Sequence, residues 1–361
     1  MTKNVLISGA GVAGATLAYW LARNGFKPTV VELSEGVRSS GNPVDVLGPA
    51  LPVVEAMGLV PRLREVTTTA RRIRLLRADG TAIATMGMPG AGKGFEVPRA
   101  DLAAVLYEAA RDDAEFLFDD TITALRQDTG GVDVTFDRAA PRRFDLVVGA
   151  DGLHSTVRRL AFGQERDFVR PIGLYVATAP FTEPVDHPAE DVLLHNAPGR
   201  LVGIHPSRGK CGVAFIFRGA VVDFDSRDAD QHKRIVTEAY RGVGWRVPEL
   251  LRRFQASADV YFDAVSIVDL PSWSSGRIAL VGDAASCVSL LGDGSSLAIA
   301  GAHTLARALV SGGLDRYEAE HRALVTPKQR AVRPAAAVLV PRTALGLATR
   351  NLAARLWRGG R

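Results

Sequence analysis

Three acidic residues, Glu32, Asp151 and Asp283, each close a short apolar run, in an order suited to one elongated ligand. The first acid has the fullest context. Asn4 to Ser8 is an apolar strand, Gly9-Ala10-Gly11-Val12-Ala13-Gly14 turns it into a helix, and Pro28-Thr29-Val30-Val31 is a second buried strand with Glu32 at its tip. Strand, glycine turn, helix, strand and terminal acid together form the setting in which such a glycine run binds a dinucleotide. Gly9 permits the tight turn, Gly11 carries no side chain that would bar a pyrophosphate, and Gly14 lets helix and strand pack closely. The free N–H groups and positive end of the helix hold the phosphate, with Val12 and Ala13 in the turn that leads into it. Glu32 accepts both ribose hydroxyls and disfavours a 2′-phosphate, so the tight ligand is FAD or NAD rather than NADP.

The other two acids extend the same logic. Asp151 stands in Gly149-Ala150-Asp151-Gly152 after the apolar run from Phe144, and Asp283 stands in Gly282-Asp283-Ala284-Ala285 after Ile278 to Val281. In an open α/β sheet, ligands lie beyond the carboxyl ends of the strands. Three strand ends therefore converge on one cofactor, whereas an enzyme using NAD alone needs only the first.

The rest of the chain must position these ends. Its 361 residues, 47% hydrophobic and 23% charged, suffice for two domains or one large composite. Helices are predicted over 15–24, 49–57, 61–66 and from Arg99 to about Arg111, with a hairpin over 73–88 turning at Asp79-Gly80. Strands are predicted over 115–118 and 132–136. From Gly173 to Arg218 the pattern is strand-like, 222–254 is polar and helical, and 261–269 is one more strand. After Asp283, a loop over 289–294 leads into a helix from Ser295 to Val310. Tyr317 to Gln329 reads as another helix, and Pro334 to Trp357 as a closing helix packed on the body rather than lying on a membrane.

Composition narrows the partners. No apolar run reaches the roughly 20 residues of a membrane span, and the chain enters a strand too early for a signal peptide. Cys211 and Cys287 are too few for a disulfide framework, which fits a reducing cytoplasm. The net charge of +5 comes from scattered arginines without interleaved aromatics, so nucleic acid is not indicated. No His/Cys/carboxylate spacing suggests a metal, and no Gly-x-Ser-x-Gly elbow suggests hydrolysis. Oligomeric state stays open, with a monomer favoured.

At this point the sequence resembles the FAD-dependent aromatic hydroxylases, the class A flavoprotein monooxygenases of the para-hydroxybenzoate hydroxylase type, through motif order over nearly the whole chain. Val148 to Ser155 with Arg158 is similar to that family's second motif, associated there with FAD and with the transient nicotinamide donor. Gly276-Arg277 to Ala285 is similar to its third, whose aspartate binds the ribityl chain. Arg99, with Leu102 and Leu106, matches the arginine that opens a helix and reaches the cofactor, and Arg38 holds a similar place beyond Glu32. Pro43 to Val46 and Tyr175 resemble a compact branch whose relatives oxidise tetracycline-like and other polycyclic natural products.

The resemblance implies an α/β fold. It has a Rossmann-like FAD-binding domain (GR2-type) over 1–72, 96–170 and 271–330, an inserted mixed β-sheet substrate domain over 73–95 and 171–270, and a C-terminal helix over 331–361. It implies tight, non-covalent FAD held by Gly9, Gly11, Val12, Ala13, Gly14, Glu32, Leu33, Arg38, Arg99, Asp151, Gly152, Asp283, Gly292, Gly294 and Ser295. NAD(P)H then serves as transient reductant. One oxygen atom of O2 passes through a flavin C4a-hydroperoxide to an aromatic or polycyclic small molecule. Hydroxylation, epoxidation and Baeyer–Villiger insertion stay open, as do NADH and NADPH. Two departures stand beside the flavin loop. Ser289-Leu290 replaces the family's Ser-Pro, which frees a backbone N–H, and Asp293 replaces the glutamine of Gly-Gln-Gly. They keep two rivals in view, a reductase or dehydrogenase on the same fold and a catalytically idle FAD binder. A halogenase is disfavoured because Trp245 and Trp273 are isolated.

No catalytic side chain is demanded by the chemistry, which the cofactor carries. His154, His195, His205 and His303 are candidate bases with structural roles as the plainer reading, and His205 stands first among them because it follows a strand of the inserted module. Tyr175, Phe215 and Phe217 are candidate substrate contacts, with core packing an equal reading. Cys287 reads as a buried thiol rather than a redox centre.

Overall fold

A computed structural model describes residues 3–37, 42–88, 90, 92–181, 188–207, 210–220, 224–225, 228–288, 290, 292–311 and 313–356. Two sheets dominate. The first has six strands in the order Ser274–Ser275, Ile278–Leu280, Leu146–Gly149, Asn4–Ser8, Lys27–Glu32 and Glu115–Phe118, all parallel except the first. Parallel strands covered on both faces must be apolar throughout. Val5, Leu6, Ile7, Val30, Val147, Val148, Ala279 and Leu280 are accordingly fully buried. Register sets Ser8 beside both Gly149 and Val31, and Gly149 beside Leu280. The chain thus leaves the sheet at Gly9, Ala150 and Val281 on one edge.

Helix Val12–Arg23 begins directly after Gly11, three residues before the sequence pattern placed it. Its own glycine explains the close packing. A Cβ on Gly14 would stand 1.9 Å from the Gly9 carbonyl oxygen, and Gly9 itself has φ +100°. Both positions need glycine, one for space and one for backbone angle.

The second sheet has seven strands, ordered Tyr261–Val268, Val169–Phe181, Lys210–Arg218, Arg200–Ser207, Asp191–Ala197, Arg72–Leu76 and Ala82–Gly87. Only Asp191–Ala197 and Arg72–Leu76 run parallel. Side chains alternate between faces along each strand. One face lies under helices Ala229–Ala239 and Val247–Ala256, where Tyr175, Phe215, Phe217, Tyr240, Leu250 and Phe254 share a core. The opposite face looks toward the first sheet. A strand over Ile122–Gln127, absent from the sequence reading, joins Val132–Phe136 and Arg142–Phe144 in a small antiparallel sheet.

The carboxyl-terminal helices differ from expectation. Leu314–Leu339 is one 26-residue helix that runs through Pro327 and Pro334, and a separate helix spans Ala344–Leu356. An interior proline costs a helical hydrogen bond and is ordinarily disruptive. Here burial of Val325, Val332 and Ala336 holds the helix straight through, and Gln329 Nε2 donates to the Val268 carbonyl at 2.9 Å. The helix stops where its last carbonyls find other donors. Arg218 reaches Ala336 and Val340 oxygens at 2.8 and 2.7 Å, and Asn196 reaches Leu339 at 3.0 Å. Among the described residues, no helix is long and apolar enough to cross a membrane.

Candidate active site

A cavity of about 630 Å³ opens along the strand ends of the first sheet and continues to the second. Its lining brings together most residues singled out by sequence: Gly9, Gly11, Val12, Ala13, Glu32, Leu33, Arg99, Asp151, Gly152, Asp283, Gly292, Gly294 and Ser295. Gly14 stands behind them in the turn. Arg38 lies outside the described residues.

Each acid is held differently. Glu32 accepts the Ala10 N–H at 2.8 Å and the Ser34 N–H at 3.0 Å, which fixes the carboxylate at the cavity rim with lone pairs to spare. Asp151 accepts from the hydroxyls of Ser8 and Ser155 and from the Val157 N–H, tying the first strand to the turn that carries it. Burial raises its pKa against those hydrogen bonds. Burial likewise raises Asp283, opposed by the Arg99 guanidinium and by a hydrogen bond from the Cys287 thiol. Arg158, wholly buried, donates to the carbonyls of Ala284 (3.0 Å) and Leu153, and so locks the Asp151 and Asp283 turns together.

Gly11 supplies the test of fit for a dinucleotide. Its φ is −72°, and a Cβ built there meets no protein atom within 4 Å, so the position opens into the cavity rather than into the protein. Main chain bare of side chains at a helix amino end is what a pyrophosphate needs. At the other end, helix Asp293–Ser311 meets the cavity through Gly294 and Ser295, and Ser295 Oγ donates to the Asp45 carbonyl at 2.7 Å. Asp293 is neutralised by Lys328, whose Nζ lies 2.8 Å away. Leu290 lines the cavity with φ +103°, a strained angle for a branched residue.

Several expected contacts fall elsewhere. Tyr175, Phe215 and Phe217 sit on the helix-covered face of the second sheet, with the Tyr175 ring stacked 5.5 Å from Phe217. The cavity is walled instead by their neighbours in register, Val176, Thr178, Ile216, Tyr261 and Val265. Phe215→Ala is therefore expected to lower unfolding free energy by about 3–5 kcal/mol in a urea titration, with cofactor affinity of the folded protein unchanged. His205 pairs with Glu96 at 3.1 Å and donates toward its neighbour Pro206, outside the lining. The His205 ring and the Thr68 hydroxyl hold Glu96 below the usual carboxylate range, although burial pushes it up. Opposite Glu96 in the antiparallel pair stands Asp45, raised to about 6 by burial and then by Glu96 and Asp293. His195 contacts the Leu76 carbonyl and Trp245, and His303 packs on Trp20. His154 alone among the four lines the cavity.

The description "FAD binding domain" belongs to a family that matches residues 2–332. A protein of Mycobacterium tuberculosis without assigned activity is 39% identical over 344 residues, 91% of this chain and 92% of that one. A flavin-dependent monooxygenase of Legionella longbeachae is 34% identical over 350 residues, 91% and 88% of the two chains. The crystal structure of the tetracycline destructase Tet(51) superposes with a TM-score of 0.86 at 27% identity, over 99% of this chain and 96% of that one. The chain belongs to the FAD-binding-domain family. Within it, the protein is an FAD-dependent monooxygenase of the class A kind.

Proposed function

We propose that the protein takes electrons from NAD(P)H and inserts one atom of dioxygen into an aromatic or polycyclic small molecule. The observation that carries this reading is the continuity of one cavity from the ribose-binding acid Glu32 to the apolar sheet wall of Val176, Ile216 and Val265. A nucleotide alone needs the first part, and an organic substrate suits the second. The likeness to a tetracycline destructase supports a polycyclic substrate of that type.

FAD, when bound, supplies the electron transfer and the oxygen activation. The protein's part is to bind, orient and exclude water. Gly9, Gly11, Val12, Ala13 and Gly14 would cradle the pyrophosphate at the helix amino end. Glu32 would take the ribose hydroxyls, and Arg99, Asp151, Gly152 and Asp283 the middle of the cofactor. Gly292, Gly294 and Ser295 would border the ring with the positive end of their helix, worth about 0.3–2 kcal/mol toward a developing negative charge. Residues 73–95 and 171–270 would form the substrate-binding part, and the cofactor would be tight and non-covalent.

The test uses FAD-loaded protein. Without air, NADH or NADPH is expected to bleach the flavin, and faster when a suitable polycyclic phenol is present. Under isotopically labelled dioxygen, the product should carry one labelled atom. Bleaching with no label in any product would make the protein a reductase and sink the proposal.

A further inference from the structure

The net positive charge of the chain comes entirely from residues 321–361. They carry nine lysines and arginines and no Asp or Glu, so that with 44 basic and 39 acidic residues in all, the first 320 are net acidic by four. Arg330, Arg333, Arg342 and Arg355 are exposed in this stretch, and none of them has a carboxylate partner among the described residues.

The last helix of the stretch, Ala344–Leu356, begins where the Thr343 hydroxyl accepts the Gly346 N–H at 3.1 Å. Gly346, Leu347, Arg350, Asn351 and Ala354 form a half-buried face against strands Ala82–Gly87 and Asp191–Ala197, where Arg350 donates to Asn196 Oδ1 at 2.7 Å. The helix thus packs on the body through one face, as its sequence leads one to expect. The opposite face carries Leu345, Leu352 and Leu356, which are 75%, 56% and 74% exposed. Spacings of seven and four residues set these three in one line along the helix. Ala348, Thr349 and Ala353 flank them in solvent, with Arg355 at the edge.

Single exposed leucines are ordinary, but three in line on one helix mark a surface that takes a partner. The charge decides which. A second copy would bring the same unpaired arginines to the contact, and like charges oppose it. A nucleic acid would pair with the arginines and leave the leucines in water. An anionic bilayer satisfies both, because lipid phosphates meet the arginines while acyl chains take the leucines. Thirteen residues are too few for a span, which needs about 20. The helix must therefore lie along the interface, while its inner face keeps hold of the body.

We propose that helix Ala344–Leu356 is a surface anchor, seated in the interface of an anionic phospholipid bilayer with its leucines among the acyl chains and Arg342 and Arg355 at the phosphates.

The test floats the FAD-loaded full chain with vesicles of phosphatidylcholine, alone or mixed with phosphatidylglycerol. Binding to the mixed vesicles should be at least about tenfold tighter than to phosphatidylcholine alone, and should weaken as salt rises from about 0.1 to about 0.5 M. Leu345→Gln combined with Leu352→Gln removes the stripe from an exposed face and should weaken binding by about tenfold or more. Arg342→Gln combined with Arg355→Gln should also weaken it, by about fivefold for each charge. None of these residues lines the cavity, so FAD content and urea midpoint should match the parent in both variants. Absence of flotation with the mixed vesicles at low salt overturns the anchor. So does flotation that the leucine variant leaves within about twofold of the parent, since the attraction would then be one of charge alone. A dimer in sedimentation velocity that the leucine variant dissociates overturns it too, because a second copy would then cover the stripe.

Discussion

Gly11→Val should yield a folded protein that no longer holds FAD. The backbone at Gly11 is extended, with φ −72° and ψ −168°, so any residue adopts it without strain. A Cβ there touches no protein atom within 4 Å, which leaves the fold indifferent to the new side chain. The valine methyls project instead into the cavity that Gly11 lines. Overpacking costs about 1–3 kcal/mol where neighbours can shift. A pyrophosphate held by fixed main-chain N–H groups cannot shift, so FAD should bind at least about 100-fold more weakly. Flavin fluorescence quenching measures that loss, and an unchanged urea midpoint shows that the fold is intact. Gly14→Ala should behave in the opposite sense. Its Cβ would lie 1.9 Å from the Gly9 oxygen, so the helix must move away from the strand and the urea midpoint must fall. A Gly11→Val protein that takes up FAD as tightly as the parent would falsify the assignment of the pyrophosphate to this turn.

These contrasting glycines show why the cavity lining along the first sheet was legible in the sequence. Each cradle residue lies within a few positions of a buried strand end, so local pattern and final geometry coincide. The substrate end was not legible in the same way. Tyr175, Phe215 and Phe217 belong to strands buried on both faces, so hydrophobicity does not say which face looks at the cavity. A one-residue change of parity moves every side chain across the sheet, and the pairing of Val169–Phe181 with Tyr261–Val268 does shift register between Pro171 and Tyr175. Ile216, and not Phe215, faces the cavity. His154 is a different case. Its partner Asp263 lies 109 residues away, and no local signal joins them. The prolines of the 314–339 helix misled in turn, because propensity argued for a break where tertiary packing held the helix together. Asp293, a departure from the family's glutamine in the bare sequence, pairs with Lys328, a contact visible only in three dimensions.

Acid should unfold the protein partly through one histidine outside the cavity lining. His321 is 1% exposed, and neither ring nitrogen has a hydrogen-bond partner among the described residues. It lies between the Tyr317 ring, stacked at 6.0 Å, and Trp273 at 5.8 Å, with Gly301 so close that a Cβ there would stand 2.6 Å from Nε2. No carboxylate is near enough to favour the cation, so burial alone lowers its pKa from 6.5 to about 4. The sign follows from linkage. The unfolded chain binds this proton at higher pH than the folded one, so the contribution is intact above pH 6.5 and is lost as pH falls toward 4. The full loss is about 3 kcal/mol, a large share of the 5–15 kcal/mol typical of a folded domain. His321→Leu keeps an apolar side chain of similar size in the same space and removes both unsatisfied nitrogens. It should be at least as stable as the parent at neutral pH. Urea midpoints measured from pH 7.5 to 4 should fall less steeply for the variant, and the gap between the two curves isolates His321 from the carboxylates that protonate over the same range. Parallel curves would show that the ring is already charged in the folded state, which its surroundings leave no means to stabilise.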